Sequence, residues 1–519
     1  MDEIERNHPE GHSSACPSPN TGAHTAFLWW AVAAIACVLW IPSLLATGMF
    51  VDGVVDAILA LNLAHGDAQF WCQRSYACGG ATYWDNPPLH TYLLSRCYLA
   101  LGESVVVERV YSLATAVLQC GLIAWLWRHM HRHRPRIREM GWLPTLLFLA
   151  CPLVGWCYLN NMMENTMAVF TTAAVLLQLI ATAHGSVLLP SVASGLLILL
   201  ALLTKGPVGA YPLAATFCLS IATGQPDLRR ATLRTALQIT ALAAGMAVLL
   251  LHEPARLFVE KYLEVQLLPA MRTPDHEAVP SRLRLAWYMV EAAWPMLTAG
   301  ALGGLIARPR IRVDPVARQG VGMLLIGACA SAPIALSHKQ HWYYLLPSLP
   351  VLALGVSCLC VPAVQRATIR VPWLIGSNAR RTIVLASVLT VATCAVRSVL
   401  NAGTFARDAV TLADVAGMRE LLGGRERQIR GEPRLYGAWG LRAYLYRLNG
   451  QELCTGAGLE DCRYFMIERG SRTRLVSPRS RKVFMGVTVE LFEAPARPGR
   501  APETVPLPPS PRTAATPEI

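Results

Sequence analysis

The sequence predicts an α-helical polytopic membrane protein with a small C-terminal α/β unit outside the bilayer. Three observations point there. Of 519 residues, 53% are hydrophobic and only 15% charged, against roughly 25% charged in soluble globular chains. The mean hydropathy is +0.37. Apolar stretches of about 20 residues, the length that crosses a bilayer, recur along the chain. A chain so short of charge cannot coat a water-exposed surface, which excludes a soluble enzyme, a disordered hub and a nucleic-acid binder. The formal net charge of +13 does not change this, because the chain has only four lysines, Lys205, Lys261, Lys339 and Lys482. The arginines come in bursts between apolar stretches, as membrane topology requires. Most of the 15 cysteines sit inside apolar segments, where a thiol behaves as a small hydrophobe.

Taken in order, residues 1–26 read as a polar cytoplasmic tail. No cleavable signal is expected, since the apolar run that follows is too long for a signal h-region. A membrane domain over 27–401 then holds about eleven spans: 27–47, 107–127, 141–160, 166–184, 187–203, 207–223, 235–252, 285–306, 320–336, 342–361 and 382–401. The pair around Thr204-Lys205-Gly206-Pro207 is short and reads as a broken or re-entrant unit. With the N-terminus in the cytoplasm, the basic loops fall on the inner side. They include 128–140, with Arg128, Arg132, Arg134, Arg136 and Arg138, and 307–319 and 362–381. The long loop 48–106 and the loop 253–284 fall outside. The helices expected after Asp52 and after Pro87, and an amphipathic stretch at 254–266, would wall a groove for a lipid-linked molecule.

Residues 402–494 read as a periplasmic α/β domain, with a helix over 404–422 and strands over 434–438, 464–467 and 483–492. The Pro/Thr/Ala-rich stretch 495–519 reads as disordered. The abundance of Arg over Lys leans towards the inner membrane of a bacterium. Cys72 with Cys78 and Cys454 with Cys462 are disulfide candidates, because both pairs lie in outer segments where an oxidising compartment permits closure. Spacing alone leaves four free thiols equally open.

Charges at mid-bilayer are costly, and no acid sits clearly there. Polar residues gather instead at outer span ends, in five clusters. These are Phe50-Val51-Asp52-Gly53-Val54-Val55-Asp56, Tyr83-Trp84-Asp85-Asn86-Pro87-Pro88-Leu89, Asn160-Asn161-Met162-Met163-Glu164-Asn165-Thr166, Thr204-Lys205-Gly206-Pro207 and His338-Lys339-Gln340-His341-Trp342-Tyr343-Tyr344. Each has a plain structural reading. Asp52 and Asp85 can cap helices, Asp56 can face solvent, and Glu164 can answer a helix dipole. Tyr343 can belong to an interfacial aromatic belt, and the lysines can snorkel. Two compact ammonium groups in tight outer turns of a lysine-poor chain favour phosphate binding.

Five such clusters in this order resemble the GT-C membrane glycosyltransferases, specifically the lipid A aminoarabinose transferase-like group related to protein O-mannosyltransferases (glycosyltransferase families 83 and 39). The resemblance spans roughly 27–360. It includes Glu108-Arg109-Val110-Tyr111-Ser112 and the Tyr343-Tyr344-Leu345-Leu346-Pro347-Ser348 stretch. It implies an inverting transferase that takes a sugar from a polyprenyl-phosphate donor to a hydroxyl of an envelope glycolipid or glycan at the outer face of the membrane. The family's first-loop acid falls on Asp52 as catalytic base, and its basic turns fall on Lys205 and Lys339 as donor-phosphate ligands. Asp85, Glu164, Asp56, His338 and Tyr343 are positioning candidates. A divalent cation, if present, would fall to Asp52, Asp85 and Glu164. The chain departs from the family pattern in carrying Asn86 where Lys or His often precedes the proline. It also has no histidine within the amphipathic stretch, which offers Glu264 and Gln266 between His252 and His276. A protein O-glycosyltransferase of the same fold, a non-catalytic lipid or solute transporter and a surface scaffold are the alternatives. No nucleic-acid partner is expected.

Overall fold

The computed structural model describes residues 26–185, 187–223, 227–272, 281, 283–308, 313–370, 376–422, 427–455, 462–471, 473 and 477–495. Nearly all of both expected tails, 1–26 and 495–519, lies outside the described residues, as does His276. The helices before the first long span are α1 (Leu28–Trp40), α2 (Val51–His65) and α3 (Leu89–Leu101). The bundle continues with α4 (Val105–Met130), α5 (Pro135–Arg138), α6 (Trp142–Leu149), α7 (Pro152–Leu159), α8 (Met163–His184) and α9 (Leu188–Lys205). It closes with α10 (Ala215–Thr223), α11 (Leu228–Leu250), α12 (Glu253–Tyr262), α13 (Leu268–Arg272), α14 (Arg284–Ala307), α15 (Pro315–Leu336), α16 (Leu349–Arg370) and α17 (Ser377–Leu400).

Among the described residues, eight helical runs are long and apolar enough to cross a membrane: α4, α8, α9, α11, α14, α15, α17 and Trp342–Thr368, which contains α16. Two shorter apolar helical runs, Leu28–Ser43 and Pro207–Ala222, and one bent pair complete the set of expected segments. The protein is thus a multi-pass membrane protein. The bent pair corrects the expected continuous span 141–160, because Pro135–Leu149 and Pro152–Leu159 meet at 75°. Pro152 opens α7, and Cys151 before it is held extended (ψ 123°), as the ring of a following proline requires. The expected break after Lys205 is present. Gly206 leaves α9 at φ +88°, and Pro207–Ala214 is a 3-10 helix with Pro212 inside it, where the missing N–H spoils an α-helical ladder.

The loop 48–106 is less exposed than its pattern suggests. In α2 every residue from Gly53 to Leu63 is buried. One side packs into α3 and α4 through Ala60, Leu61, Leu94, Tyr98 and Val107. The other side shares a core with the C-terminal unit, in which Val54, Ile58 and Leu59 meet Leu412, Val415, Met418, Ile429, Met466 and Leu491. The expected amphipathic helix is therefore a buried one, covered on both faces.

Within the outer loop, β1 (Gln73–Arg74) and β2 (Thr82–Tyr83) form a short antiparallel ladder. The C-terminal unit holds α18 (Ala409–Leu422), β3 (Gln428–Gly431), α19 (Trp439–Asn449), β4 (Glu452–Cys454), β5 (Tyr464–Glu468), β6 (Arg481–Met485) and β7 (Val489–Glu493). The sheet order is β4-β3-β5-β7-β6. The strand expected over 434–438 is instead a 3-10 turn, Pro433–Gly437, opened by the proline. The strand expected over 483–492 is a hairpin, broken at Gly486-Val487-Thr488. There the buried Asp414 carboxylate accepts from the N–H groups of Val487 (2.7 Å) and Thr488 (2.8 Å).

The disulfide pattern also differs from expectation. Cys78 is bonded to Cys454, whereas Cys72 and Cys462 take no part in that bond. Sequence-local pairing fails because the loop 48–106 and β4 are neighbours in space. Arg74 (3.2 Å) and the Gly79 N–H (3.0 Å) both reach the Glu452 carboxylate. Non-reducing peptide mapping is expected to recover a Cys78–Cys454 cross-link and no Cys72–Cys78 or Cys454–Cys462 link. Loss of the bond in Cys78→Ser is expected to lower stability by about 2–4 kcal/mol, read as a drop in unfolding temperature.

Candidate active site

Asp52 sits in the first turn of α2, and the backbone leading to it is held from three directions. The Phe50 N–H donates to Asn160 Oδ1 (2.6 Å) at the end of α7. Arg109 of α4, 5% exposed, donates to the Gly48 carbonyl. The Tyr444 hydroxyl of α19 accepts from the Met49 N–H (3.1 Å) and lies 2.7 Å from the Met49 carbonyl. A glycine follows Asp52 because a Cβ on Gly53 would stand 1.9 Å from the Asn160 carbonyl oxygen. Asp52 itself accepts a hydrogen bond from the buried Tyr343 hydroxyl (Oδ2, 3.0 Å). Tyr343 is fixed in turn by stacking on Trp156 (5.6 Å between centroids) and His341 (5.1 Å).

Opposite stands an ion pair. Lys205 Nζ lies 3.1 Å from Glu164 Oε1, with both side chains largely buried. Its position follows from the α8–α9 hairpin, which places the N-terminus of α8 beside the C-terminus of α9. Glu164 in the first turn of α8 and Lys205 in the last turn of α9 each complement their own helix dipole. The ammonium also sits 5.2 Å from the centroid of the Tyr344 ring, a cation–π approach, and is within electrostatic reach of Asp52 and Asp56. Gly206 lets α12 close over this turn, since a Cβ there would stand 2.2 Å from the Tyr262 hydroxyl.

Asp56, one turn after Asp52, faces His90 of α3 (Oδ2 to Nε2, 3.7 Å). Burial, and then the Lys205 charge, push the His90 imidazole down to about 3. The approach therefore joins a neutral ring to an acid and is no ion pair. At 3.7 Å it is also too long for a hydrogen bond, so His90 Nε2 has no hydrogen-bond partner among the described residues. His90 Nδ1 meets the Thr166 hydroxyl (3.0 Å), which lies 2.8 Å from the Tyr111 hydroxyl. Burial holds the Asp56 carboxyl well above the usual carboxylate range; Lys205 opposes the shift, and Asp52 and Glu164 add to it. Asp85 is exposed at the rim. Between it and Asp56 and Asp52 stands Tyr83, whose phenol is pushed well up by burial and then by those three acids. Asn86 donates to the Tyr83 hydroxyl (2.9 Å).

The structure thus gathers Asp52, Asp56, Glu164, Lys205 and Tyr343, with Asp85 at the edge. His338 and Lys339 lie in the turn leading to Tyr343. The His338 N–H donates to the Ala270 carbonyl of α13 (3.1 Å), and the Lys339 N–H to the Ser337 hydroxyl (3.1 Å). His338 forms no hydrogen bond or ion pair with the gathered acids. Tyr83, His90 and Tyr262 complete the cluster; Tyr83 lies in the second polar cluster and Tyr262 in the amphipathic stretch, but the sequence marks none of the three as a site residue. His90 offered one signal, an imidazole that directly follows the second polar cluster at the start of α3. As for a cation, Asp52, Asp85 and Glu164 do not bring three carboxylate oxygens within 4.8 Å of one another among the described residues. Among the described residues, the group of three close enough to share an ion is Cys78, Glu452 and Cys454, whose sulfurs are joined.

A helical membrane bundle with an acid–ammonium cluster at one end, beneath outer helices and an α/β cap, has the GT-C fold. No protein-family model matches the chain, and no curated protein matches it. The crystal structure of ArnT from Cupriavidus metallidurans bound to undecaprenyl phosphate is similar to it at 14% identity and a TM-score of 0.62, covering 89% of this chain and 97% of that one. The apo state of the same protein gives 15% identity and a TM-score of 0.60 over the same shares. At such identities the likeness is one of fold.

Two outcomes test this arrangement. Breaking the buried pair leaves an uncompensated charge, so Lys205→Met is expected to cost about 3–5 kcal/mol of stability. The double variant Lys205→Met/Glu164→Gln should recover part of that loss, and a double-mutant cycle on unfolding measures it. The second outcome concerns Asp56. A carboxyl whose folded pKa is raised favours the folded state below its unfolded value, about 3.9, and that favour is lost as pH rises through the folded value. Asp56→Asn keeps the neutral shape, so its unfolding temperature should equal or exceed that of the parent at neutral and alkaline pH. A clear fall there would show that the charged acid is needed for folding.

Proposed function

We propose that the chain is an integral membrane glycosyltransferase that moves a sugar from a polyprenyl-phosphate donor onto a hydroxyl of an envelope glycolipid or glycan. The observation that carries this reading is the convergence of Asp52, Asp56 and Glu164 around the Lys205 ammonium at one end of a GT-C bundle. The undecaprenyl phosphate held by the structurally similar ArnT supports the donor class.

In this reading Asp52 takes the acceptor proton. Its carboxylate is oriented by Tyr343, which occupies Oδ2 and leaves Oδ1 for the hydroxyl. The acceptor oxygen attacks the anomeric carbon as the bond to the phosphate oxygen breaks. A single displacement inverts the configuration. Negative charge grows on the leaving phosphate, and a preorganised cation offsets it without reorganising at the moment of reaction. Lys205 fills that role. Glu164 fixes its position on one side, while the ammonium keeps further N–H donors for phosphate oxygens. Lys339 joins it from the turn before Tyr343. Asp85 and Tyr83 line the rim where an acceptor enters.

Purified protein given polyprenyl-phosphate-linked sugars is expected to release polyprenyl phosphate and glycosylate an envelope lipid fraction. A transporter or scaffold would release none. Asp52→Asn is expected to lower transfer by about 10²–10⁴-fold, the range for loss of a general base, with expression and membrane insertion intact. Near-normal turnover in that variant removes Asp52 from the base role.

A further inference from the structure

The far end of the bundle holds a second feature that the reaction does not use. A cleft of about 470 Å³ opens between the end of α4 and α5, roughly 30 Å from Arg109 at 1.5 Å per residue along α4. Its wall has two chemistries. On one side stand Arg128, His129, Arg132 and Arg138. On the other stand Gly121, Ala124 and Trp125, residues of a helix apolar enough to span the membrane.

The basic side is built in part and open in part. Arg132 is committed to the fold. Its Nη2 donates to the Ala183 carbonyl (2.7 Å) at the end of α8, and its Nε donates to His133 (2.8 Å). Arg128 and Arg138 are exposed, and their side chains form no hydrogen bond or ion pair among the described residues. Glu139, the neighbouring acid in sequence, pairs with none of these arginines. Two arginines thus converge on one cleft beside a third whose position is fixed. Topology needs positive charge on a loop, but it does not need a cleft.

The apolar side lies in line with the cleft. Val117, Leu118 and Trp125 are 63%, 57% and 56% exposed, and with Gly121 they follow one stripe of α4 at helical spacing. A Cβ on Gly121 would meet nothing within 4 Å, so the stripe carries a gap one side chain deep. Trp125 lies within two turns of the end of the spanning helix, and indoles favour such span ends. A groove along a spanning helix that ends in free guanidinium groups matches a molecule with an acyl chain and a phosphate at one end.

We propose that this cleft binds the phosphodiester headgroup of an anionic phospholipid, with Arg128 and Arg138 on the phosphate and an acyl chain along Trp125 and Gly121. The site is independent of the transfer reaction.

The test is native mass spectrometry of the full chain in mild detergent, with phosphatidylglycerol and phosphatidylethanolamine of matched chains, and inorganic phosphate in a separate arm. Phosphatidylglycerol should be retained up to about thirtyfold more than phosphatidylethanolamine, as two arginines near the headgroup imply. Arg128→Gln/Arg138→Gln should remove that preference without changing size-exclusion elution. Gly121→Leu, which fills the gap, should weaken retention of the lipid. Equal retention of the two lipids by the parent protein overturns the proposal, whatever the variants do. So does an unchanged preference in the double variant. Binding of inorganic phosphate with no retained lipid would reduce the cleft to an anion site and overturn the lipid assignment.

Discussion

The site depends on one buried ammonium. Lys205 is the cation that faces Glu164, Asp56 and Asp52, in a region from which water is largely excluded. A low dielectric magnifies every charge, and an uncompensated one is expensive. The consequences spread outward. Glu164 pairs with Lys205 directly. Burial drives Asp56 towards its neutral form, with Lys205 opposing, and burial lowers the His90 imidazole, with Lys205 adding to the effect. The hairpin of α8 and α9 sets the polarity, since opposed helix ends give an acid and a base their preferred dipoles side by side. In the proposed reading, the same charge that holds the fold together here also meets the leaving phosphate.

Placing Asp52 opposite that charge is a packing problem, and α2 solves it by belonging to two cores at once. One face packs on α3 and α4, and the other completes the core of the C-terminal unit. The C-terminal unit is therefore no appendage. Tyr444 holds the backbone at Met49, and Arg447 reaches the buried Glu108 at 3.1 Å. Cys78 and Cys454 lock the loop to the sheet. The short approach of Gly53 to the Asn160 carbonyl ties the arrangement to the bent pair α6–α7. Asp52 thus inherits its position from elements spread over almost the whole chain.

Much of this was legible in the residues. Apolar runs located the spans, because bilayer thickness fixes their length. The broken unit at Lys205 showed itself through Gly206 and Pro207. Five polar clusters at span ends pointed to a shared cavity, and four of them supply the gathered residues Asp52, Asp56, Glu164, Lys205 and Tyr343, with Asp85 at the rim. The bend at Pro152 went unread because the apolar run continues through it. The disulfide was misread because nearness in sequence stood in for nearness in space. The C-terminal hairpin was taken as one strand, since its turn depends on Asp414, more than seventy positions away.

Composition and hydropathy by themselves determined a membrane bundle, its approximate spans and which polar residues had no place in lipid. These are local properties, set by the transfer of each segment from water. Only tertiary structure decided that Lys205 meets Glu164, that burial raises the Asp56 carboxyl and lowers the His90 imidazole, that α2 is buried on both faces and that Cys78 joins Cys454. Each of those depends on what burial places beside a group, and a pairing energy between distant residues leaves no trace in the sequence around either one.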